Sequence, residues 1–363
     1  MRKGDVVKVA IQYEGLRIDR AGHVAGHDAG DTLVRRLMRI FPGAILIDKK
    51  KHTYDDFETM PLEMIDGDNT VLLNMNVIDS IPTWRVLKEN SDTPKVVNFV
   101  WWSPKKYATE IEAAELSLSC ALFPTIANSD RTASSLRVEL QRWTPQHLAE
   151  KATMTSANLG IQLEHAQDRQ ETEIPVVLYP AIYMSKRKNP KLFFEIMSKI
   201  VKKTPVKVEV RLVESHLTSH QAMEFGRQRW ASVSPLLPFR HDYWAALART
   251  TAFLATSDEE SYGLQYVEAM VAGAIGVLPD KPWAHAILPE GYPFLYSTPG
   301  EAEAMILRAV TSPDQCRAEI DATVDGDFAT WLRQHHDQDQ FESTMVTCLE
   351  QWFGPIEGAG SNQ

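Results

Sequence analysis

Two kinds of apolar spacing alternate along this chain: short continuous or every-second-residue runs, and longer stretches in which every third or fourth position is apolar. Residues 6–13 read as a first strand, and residues 14–30 form a loop that holds four glycines. Asp31 is the expected N-cap of a helix whose apolar face is Leu33, Val34, Leu37, Met38, Ile40 and Phe41, and Pro42-Gly43 stops that helix. Residues 44–48, 70–74 and 95–102 are the next predicted strands, 121–129 an edge strand, and 134–151 a helix. The polar run 167–173 reads as a linker.

Beyond that linker the pattern starts again. Residues 174–179 make a strand, 190–202 a helix, and 206–213 the clearest alternation in the chain, with polar residues at the odd positions. Residues 235–239, 253–256 and 275–279 are its later strands, and the chain turns helical after Pro299-Gly300. The last helix, 341–353, carries Met345, Val346, Leu349, Trp352 and Phe353 on one face, and 354–363 reads as a frayed tail. Strands alternating with helices call for a parallel sheet covered on both faces. The fold class is therefore α/β, with two doubly wound domains at 1–172 and 173–340, followed by a closing helix and tail at 341–363.

Composition narrows this picture. The chain has 363 residues, more than one hydrophobic core usually serves, and its 44% hydrophobic and 24% charged content is that of an ordered globular protein. A net charge of -10 leaves any polyanionic partner to be met by a local patch. Cys120, Cys316 and Cys348 lack the spacing of a zinc site and point to a reducing compartment. The apolar run near the N-terminus is interrupted by Lys8 and is too short for a signal peptide or a membrane span, so a cytoplasmic protein is expected.

Ligands of open α/β sheets bind beyond the carboxyl ends of the strands, which singles out four loops. The first, 20–30, has glycines at 22, 26 and 30, a spacing that does not match a dinucleotide-binding fingerprint. The second holds Lys186, Arg187 and Lys188 just before Pro190, three cations where a diphosphate could also meet free helix amides. The third, 238–244, offers Asp242 as an N-cap. The fourth runs from Ser257 to Gly273 between two apolar runs and reads as strand, polar turn, helix, glycine stop, strand. It places Glu260 outside a helix N-terminus and Glu268 two turns further in. Because Glu268 lies among Leu264, Val267 and Val271, its carboxylate needs a hydrogen-bonding partner, and a ligand hydroxyl is a candidate.

The stretch Glu260-Ser-Tyr-Gly-Leu-Gln-Tyr-Val-Glu268-Ala-Met-Val-Ala-Gly273, with seven residues between its glutamates, resembles the signature of retaining GT-B glycosyltransferases of the glycogen-synthase and sucrose-synthase kind. The resemblance extends over about 173–300. It implies two Rossmann-like domains facing a cleft, the first taking the acceptor and the second a nucleoside-diphosphate sugar, with the last helix crossing back to the first. Glu268 would hold the donor ribose, Glu260 the transferred sugar, and the amides of Tyr262, Gly263 and Leu264 the sugar and phosphates. Lys188 would bind the diphosphate. Ile182 stands near the position of the companion arginine of this family, which leaves Lys186 and Arg187 as alternatives for that role. Gly22 would close on the phosphates, and His23, His27, Trp101, Trp102 and Ser103 would lie on the acceptor side.

The activity so implied is transfer of a hexose or pentose to an acceptor hydroxyl with retention, without a cofactor or a metal ion. A phosphorylase or nucleotide-sugar epimerase on the same fold, and a non-catalytic nucleotide- or glycan-binding protein, are the competing readings. Arg35, Arg36 and Arg39, with Lys49-Lys50-Lys51-His52, give the first domain a local basic character that would suit an anionic acceptor such as a lipid headgroup or modified nucleic acid.

Overall fold

The computed structural model describes residues 6–26, 28–106 and 109–359 and divides into two compact units, residues 1–158 with 339–363, and residues 159–338. Each unit is built on its own sheet. In the first, β1 (Lys8–Gln12), β2 (Ile45–Ile47), β3 (His52–Thr53), β4 (Glu58–Met60), β5 (Thr70–Asn74), β6 (Lys95–Val100), β7 (Thr125–Ala127) and β8 (Met154–Ser156) lie in the order β3-β4-β2-β1-β5-β6-β7-β8. Among the described strand pairs of this sheet only β3–β4 is antiparallel. In the second, β9 (Val176–Tyr179), β10 (Lys207–Leu212), β11 (Ala231–Pro235), β12 (Ala252–Leu254), β13 (Ile275–Pro279) and β14 (Leu295–Tyr296) are all parallel, in the order β11-β10-β9-β12-β13-β14.

The α/β class and the doubly wound character expected from periodicity are what the structure has. In the second unit the chain winds outward from β9 through β10 to β11, then returns to β12 beside β9. The loops after β9 and β12 therefore leave adjacent strands in opposite winding directions, the position at which such sheets bind ligands. The polar run 167–173 lies inside this unit, where the Arg169 guanidinium donates to the carbonyls of Thr250 (3.0 Å) and Gly273 (3.4 Å).

Local differences have physical causes. Asp28, not Asp31, caps the first helix (Ala29–Ile40): it is extended (φ -77°, ψ 175°) and its carboxylate accepts from Asp31 N at 2.9 Å. Asp31 is buried in the first turn instead, where its carboxylate occupies the space a side chain on Gly26 would take. Helix Glu110–Leu122 replaces the first part of the expected strand 121–129. The expected helix 134–151 starts earlier, at Asp130, and breaks after Trp143 at Thr144-Pro145. The strand expected at 235–239 lies upstream, at Ala231–Pro235, and Phe239 rather than Asp242 is the N-cap of helix Arg240–Ala248. Helix Gln338–Phe353 buries Phe341, Met345, Cys348 and Leu349.

The three arginines of the first helix are structural. Arg35 donates to the carbonyls of Val24 (3.0 Å) and Gly26 (2.8 Å), Arg36 is buried over the Phe341 ring, and Arg39 pairs with Glu342 at 3.2 Å. Of the expected basic surface, Lys49, Lys50, Lys51 and His52 remain exposed. Cys120, Cys316 and Cys348 are buried free thiols, and no helix among the described residues is long and apolar enough to cross a membrane.

Candidate functional site

The loop after β9 reaches its charged residues through a short 3-10 turn, Lys186–Lys188, which ends at Asn189. Asn189 has φ 46°, the one left-handed non-glycine residue among those described, and it caps helix Pro190–Ile200 by accepting from Leu192 N at 3.4 Å. Within the turn the three cations part. Lys186 and Arg187 are exposed, whereas Lys188 is buried. The backbone of the same turn is stitched to the loop after β12: Thr256 Oγ1 donates to Lys188 O (2.8 Å) and Asp258 N to Arg187 O (3.0 Å).

That stitching places the Lys188 ammonium against the Glu260 carboxylate in a buried ion pair. Tyr266 Oη also donates to Glu260, at 2.6 Å. Burial alone would push the Glu260 carboxyl up, but the Lys188 charge and hydrogen bonds from Lys188, Tyr266 and Ser257 outweigh it and hold the group below the usual carboxylate range. A cavity of about 190 Å³ adjoins this loop pair, with Asn189, Thr256, Ser257, Asp258, Asp280 and Lys281 among its lining residues.

Gly263 starts the next element. Its φ of 94° is open to glycine at little cost, and an added Cβ would stand 2.9 Å from the Tyr266 ring. Helix Leu264–Val271 begins directly after it with no side-chain cap. The first amides of that helix lack intrahelical partners by construction and carry the positive end of the helix dipole. Tyr262 is buried, and its hydroxyl lies 2.6 Å from His336 Nδ1.

Glu268 sits on the buried side of the same helix, and the partner its carboxylate needs comes from the chain itself. Arg240 Nη2 donates to one oxygen at 2.6 Å and Tyr243 Oη to the other at 2.7 Å. Arg240 and Tyr243 are one turn apart on helix Arg240–Ala248, after β11, and the guanidinium also lies 4.8 Å from the Tyr243 ring centroid. Burial first, then the Glu268 charge, raises the Tyr243 phenol well above its ordinary range, so it stays a donor.

The second unit thus brings together Lys188, Glu260, Tyr262, Gly263, Leu264 and Glu268 on the loops and helix that follow β9 and β12. Arg240, Tyr243, Tyr266 and His336 join them; the first two lie in the third candidate loop, 238–244, but none of the four was given a role from sequence. For Arg240 and Tyr243 the need of a buried Glu268 for donors was a further signal.

The remaining candidates belong to the first unit. Gly22 has φ 86° in a turn closed by Asp19, whose carboxylate accepts from the amides of Ala21 and His23. His23 is exposed, and His27 lies outside the described residues. Trp101 follows β6; its Nε1 donates to Met75 O at 3.3 Å and its ring meets Tyr13 and Trp102 edge-on. Trp102 and Ser103 are buried. Among the described residues no cluster of three or more His, Cys, Asp or Glu has the geometry to hold a metal ion.

No protein-family model matches the chain, and no curated protein matches it in sequence. Solved structures do match. Sucrose-phosphate synthase from Thermosynechococcus elongatus is 12% identical with a TM-score of 0.70, over 96% of this chain and 99% of that one. Anabaena HepE, solved in complex with UDP and glucose, is 13% identical with a TM-score of 0.67, over 95% and 99%. The E. coli trehalose-6-phosphate protein bound with UDP-2-fluoro glucose is 10% identical with a TM-score of 0.66, also over 95% and 99%. These are GT-B glycosyltransferase structures, and the fold of this chain is the same two-domain α/β fold.

Proposed function

We propose that this protein is a glycosyltransferase that moves a sugar, with retention, from a nucleoside-diphosphate sugar to an acceptor hydroxyl. The observation that carries the reading is the convergence of a buried lysine, two buried carboxylates and an open helix N-terminus at the point where the second sheet reverses its winding. A diphosphate needs fixed positive charge that does not have to be reorganised as the leaving group develops. In this reading Lys188 and the amides of Gly263 and Leu264 do that work. Similarity in fold to structures solved with UDP and a UDP sugar analogue supports the same ligand class.

In this reading each charged group has a defined task. Glu260 holds Lys188 in place before the donor arrives, then takes a hydroxyl of the transferred sugar and faces the positive charge that develops at the anomeric carbon. Glu268 keeps one lone pair on each oxygen beyond those used by Arg240 and Tyr243, enough for the ribose hydroxyls. Arg240 and Tyr243 fix the carboxylate in the orientation that takes them. Lys186 and Arg187, exposed on the preceding turn, are the cations for the outer phosphate oxygens. The departing diphosphate accepts the acceptor proton, and no resident metal ion is called for. The acceptor side is assigned to the first unit, with His23, Trp101, Trp102 and Ser103 on the loops after β1 and β6. The exposed Lys49, Lys50 and Lys51 are what remains to favour an anionic acceptor. Three buried free thiols fit a cytoplasmic setting.

The test is incubation of the purified protein with a panel of nucleotide sugars, with release of the nucleoside diphosphate and the anomeric configuration of the product followed by NMR. Turnover lost in Lys188→Ala and Glu268→Ala is expected. Turnover that survives both changes unaltered places the chemistry elsewhere.

A further inference from the structure

His336 is buried in the second unit, two residues before that unit ends, and the chemistry above gives it no task. It closes helix Phe328–His335, its amide bonding to Leu332 O at 2.9 Å. Its carbonyl accepts from Ile161 N at 2.8 Å, and Ile161 bridges to Asp337 in parallel. Gly160 lies so close to the Asp337 and Gln338 backbone that an added Cβ would stand 2.3 Å from it. The two stretches by which the chain enters and leaves this unit are thus paired with each other at His336.

The imidazole of the same residue faces the other way, into the loop proposed to hold the donor. Nε2 lies 3.3 Å from Ile287 O, and Nδ1 lies 2.6 Å from Tyr262 Oη. A carbonyl only accepts, so Nε2 carries the proton, Nδ1 is the acceptor, and the Tyr262 hydroxyl donates to it. Burial acts in the same sense and lowers the His336 pKa to about 4, which keeps the ring neutral. The Ile287 side chain that follows from this contact also flanks Gly263, 3.4 Å from where its Cβ would be, and helix Leu264–Val271 packs against helix Phe328–His335.

We propose that His336 is a positioning residue for donor binding: by accepting from Tyr262 and donating to Ile287 O it fixes the 260–264 loop, and with it the amides aimed at the diphosphate, onto the segment where the chain crosses between units. The inference rests on the proposed function for what the loop binds, but its first consequence does not. In nucleotide-free protein, hydrogen exchange at Tyr266 and Val267, whose amides bond to Gly263 O, is expected to speed up about fivefold in His336→Ala and in Tyr262→Phe, the loss of one hydrogen bond of ordinary strength. His336→Asn, whose amide oxygen can stand where Nδ1 accepts, is expected to restore most of the protection. UDP affinity, read by calorimetry, should fall about fivefold in each single variant, and the double variant should be no weaker than the weaker single one.

Tyr262→Phe leaves the ring pocket filled, so it remains informative if His336→Ala does not fold. Exchange that rises only near Ile161 and Leu332, with the 260–267 segment unchanged, would reduce His336 to a packing role. Losses in UDP affinity that simply add in the double variant would overturn the coupling. A wild-type protein that binds neither UDP, GDP nor ADP would refute the proposed donor, while the exchange result still decides whether His336 holds the loop.

Discussion

Replacing Lys188 by Met removes the cation from a pair whose side chains are only 10% and 9% exposed. What remains is a buried carboxylate with Tyr266 as its principal donor, since Met fills the lysine's volume but cannot pair with Glu260. Removing one partner of a buried pair costs about 3–5 kcal/mol, whereas replacing both by neutral groups of similar size is close to neutral. Lys188→Met should therefore lower the melting temperature by roughly 10 °C, and Lys188→Met with Glu260→Gln should recover most of that. Acidification sharpens the test. In the unmodified protein the Glu260 pKa is depressed, so the pair contributes stability above the ordinary carboxylate pKa and loses it as pH falls through the folded value. Without Lys188 the largest lowering influence is gone, burial is opposed only by the hydrogen bonds from Tyr266 and Ser257, the folded pKa rises, and stability is instead lost as pH rises through it. The deficit of Lys188→Met, measured by thermal unfolding from pH 7 down to 4.5, should shrink steadily. A deficit below about 1 kcal/mol, or one that does not change with pH, would refute a buried and charge-compensated Glu260.

Other consequences can be checked with the same protein. Arg240→Met and Tyr243→Phe each remove one donor from Glu268 and should weaken UDP binding by about tenfold in calorimetry, with little change in melting temperature for Tyr243→Phe. Gly263→Ala forces a Cβ into a left-handed residue 2.9 Å from the Tyr266 ring; a stability loss of about 1–3 kcal/mol and loss of nucleotide binding are expected, and unchanged binding would remove the loop from the donor site. Asp31 behaves oppositely to Glu260: burial first, and then Asp28, raises its pKa to about 6, so the stability it contributes is full below the ordinary value of 3.8 and is lost as pH rises through about 6. Asp31→Asn should flatten that loss in melting curves between pH 4 and 7 and stabilise the protein at pH 7.

Much of this was legible in the sequence because period carries it. β5 falls at the expected residues, and β10 alternates buried and half-buried side chains as its pattern demands. Helix Glu110–Leu122 escaped because Ile111, Leu118 and Leu122 are exposed while Leu116 and Cys120 are buried, which spreads apolar residues around the helix and erases the periodic signal. β3 and β14, at two residues each, are too short to leave one. Asp28 and Asp31, three apart, are equivalent N-cap candidates until the fold buries the second.

The site divides along the same line. Glu260, Gly263 and Glu268 share one turn and one helix, so their relation is local and readable. Which side chains pair with them is not. Lys188 meets Glu260 across 72 positions and Arg240 reaches Glu268 from 28 away, both brought in by the order of parallel strands, and His336 reaches Tyr262 from 74 through the packing of helix Phe328–His335 on helix Leu264–Val271. The arginines of the first helix make the complementary point: a cationic run says nothing of whether its charges face solvent or Phe341 and Glu342.

The central claim is that the Lys188, Glu260 and Glu268 group holds a nucleoside diphosphate. Calorimetric titration of UDP, GDP and ADP into the unmodified protein and into Glu268→Ala tests it most directly. Binding of at least one of them, weakened about a hundredfold or more in the variant, is expected from loss of a carboxylate that takes two hydroxyls. Equal affinity in the two proteins, or no binding to either, would contradict it.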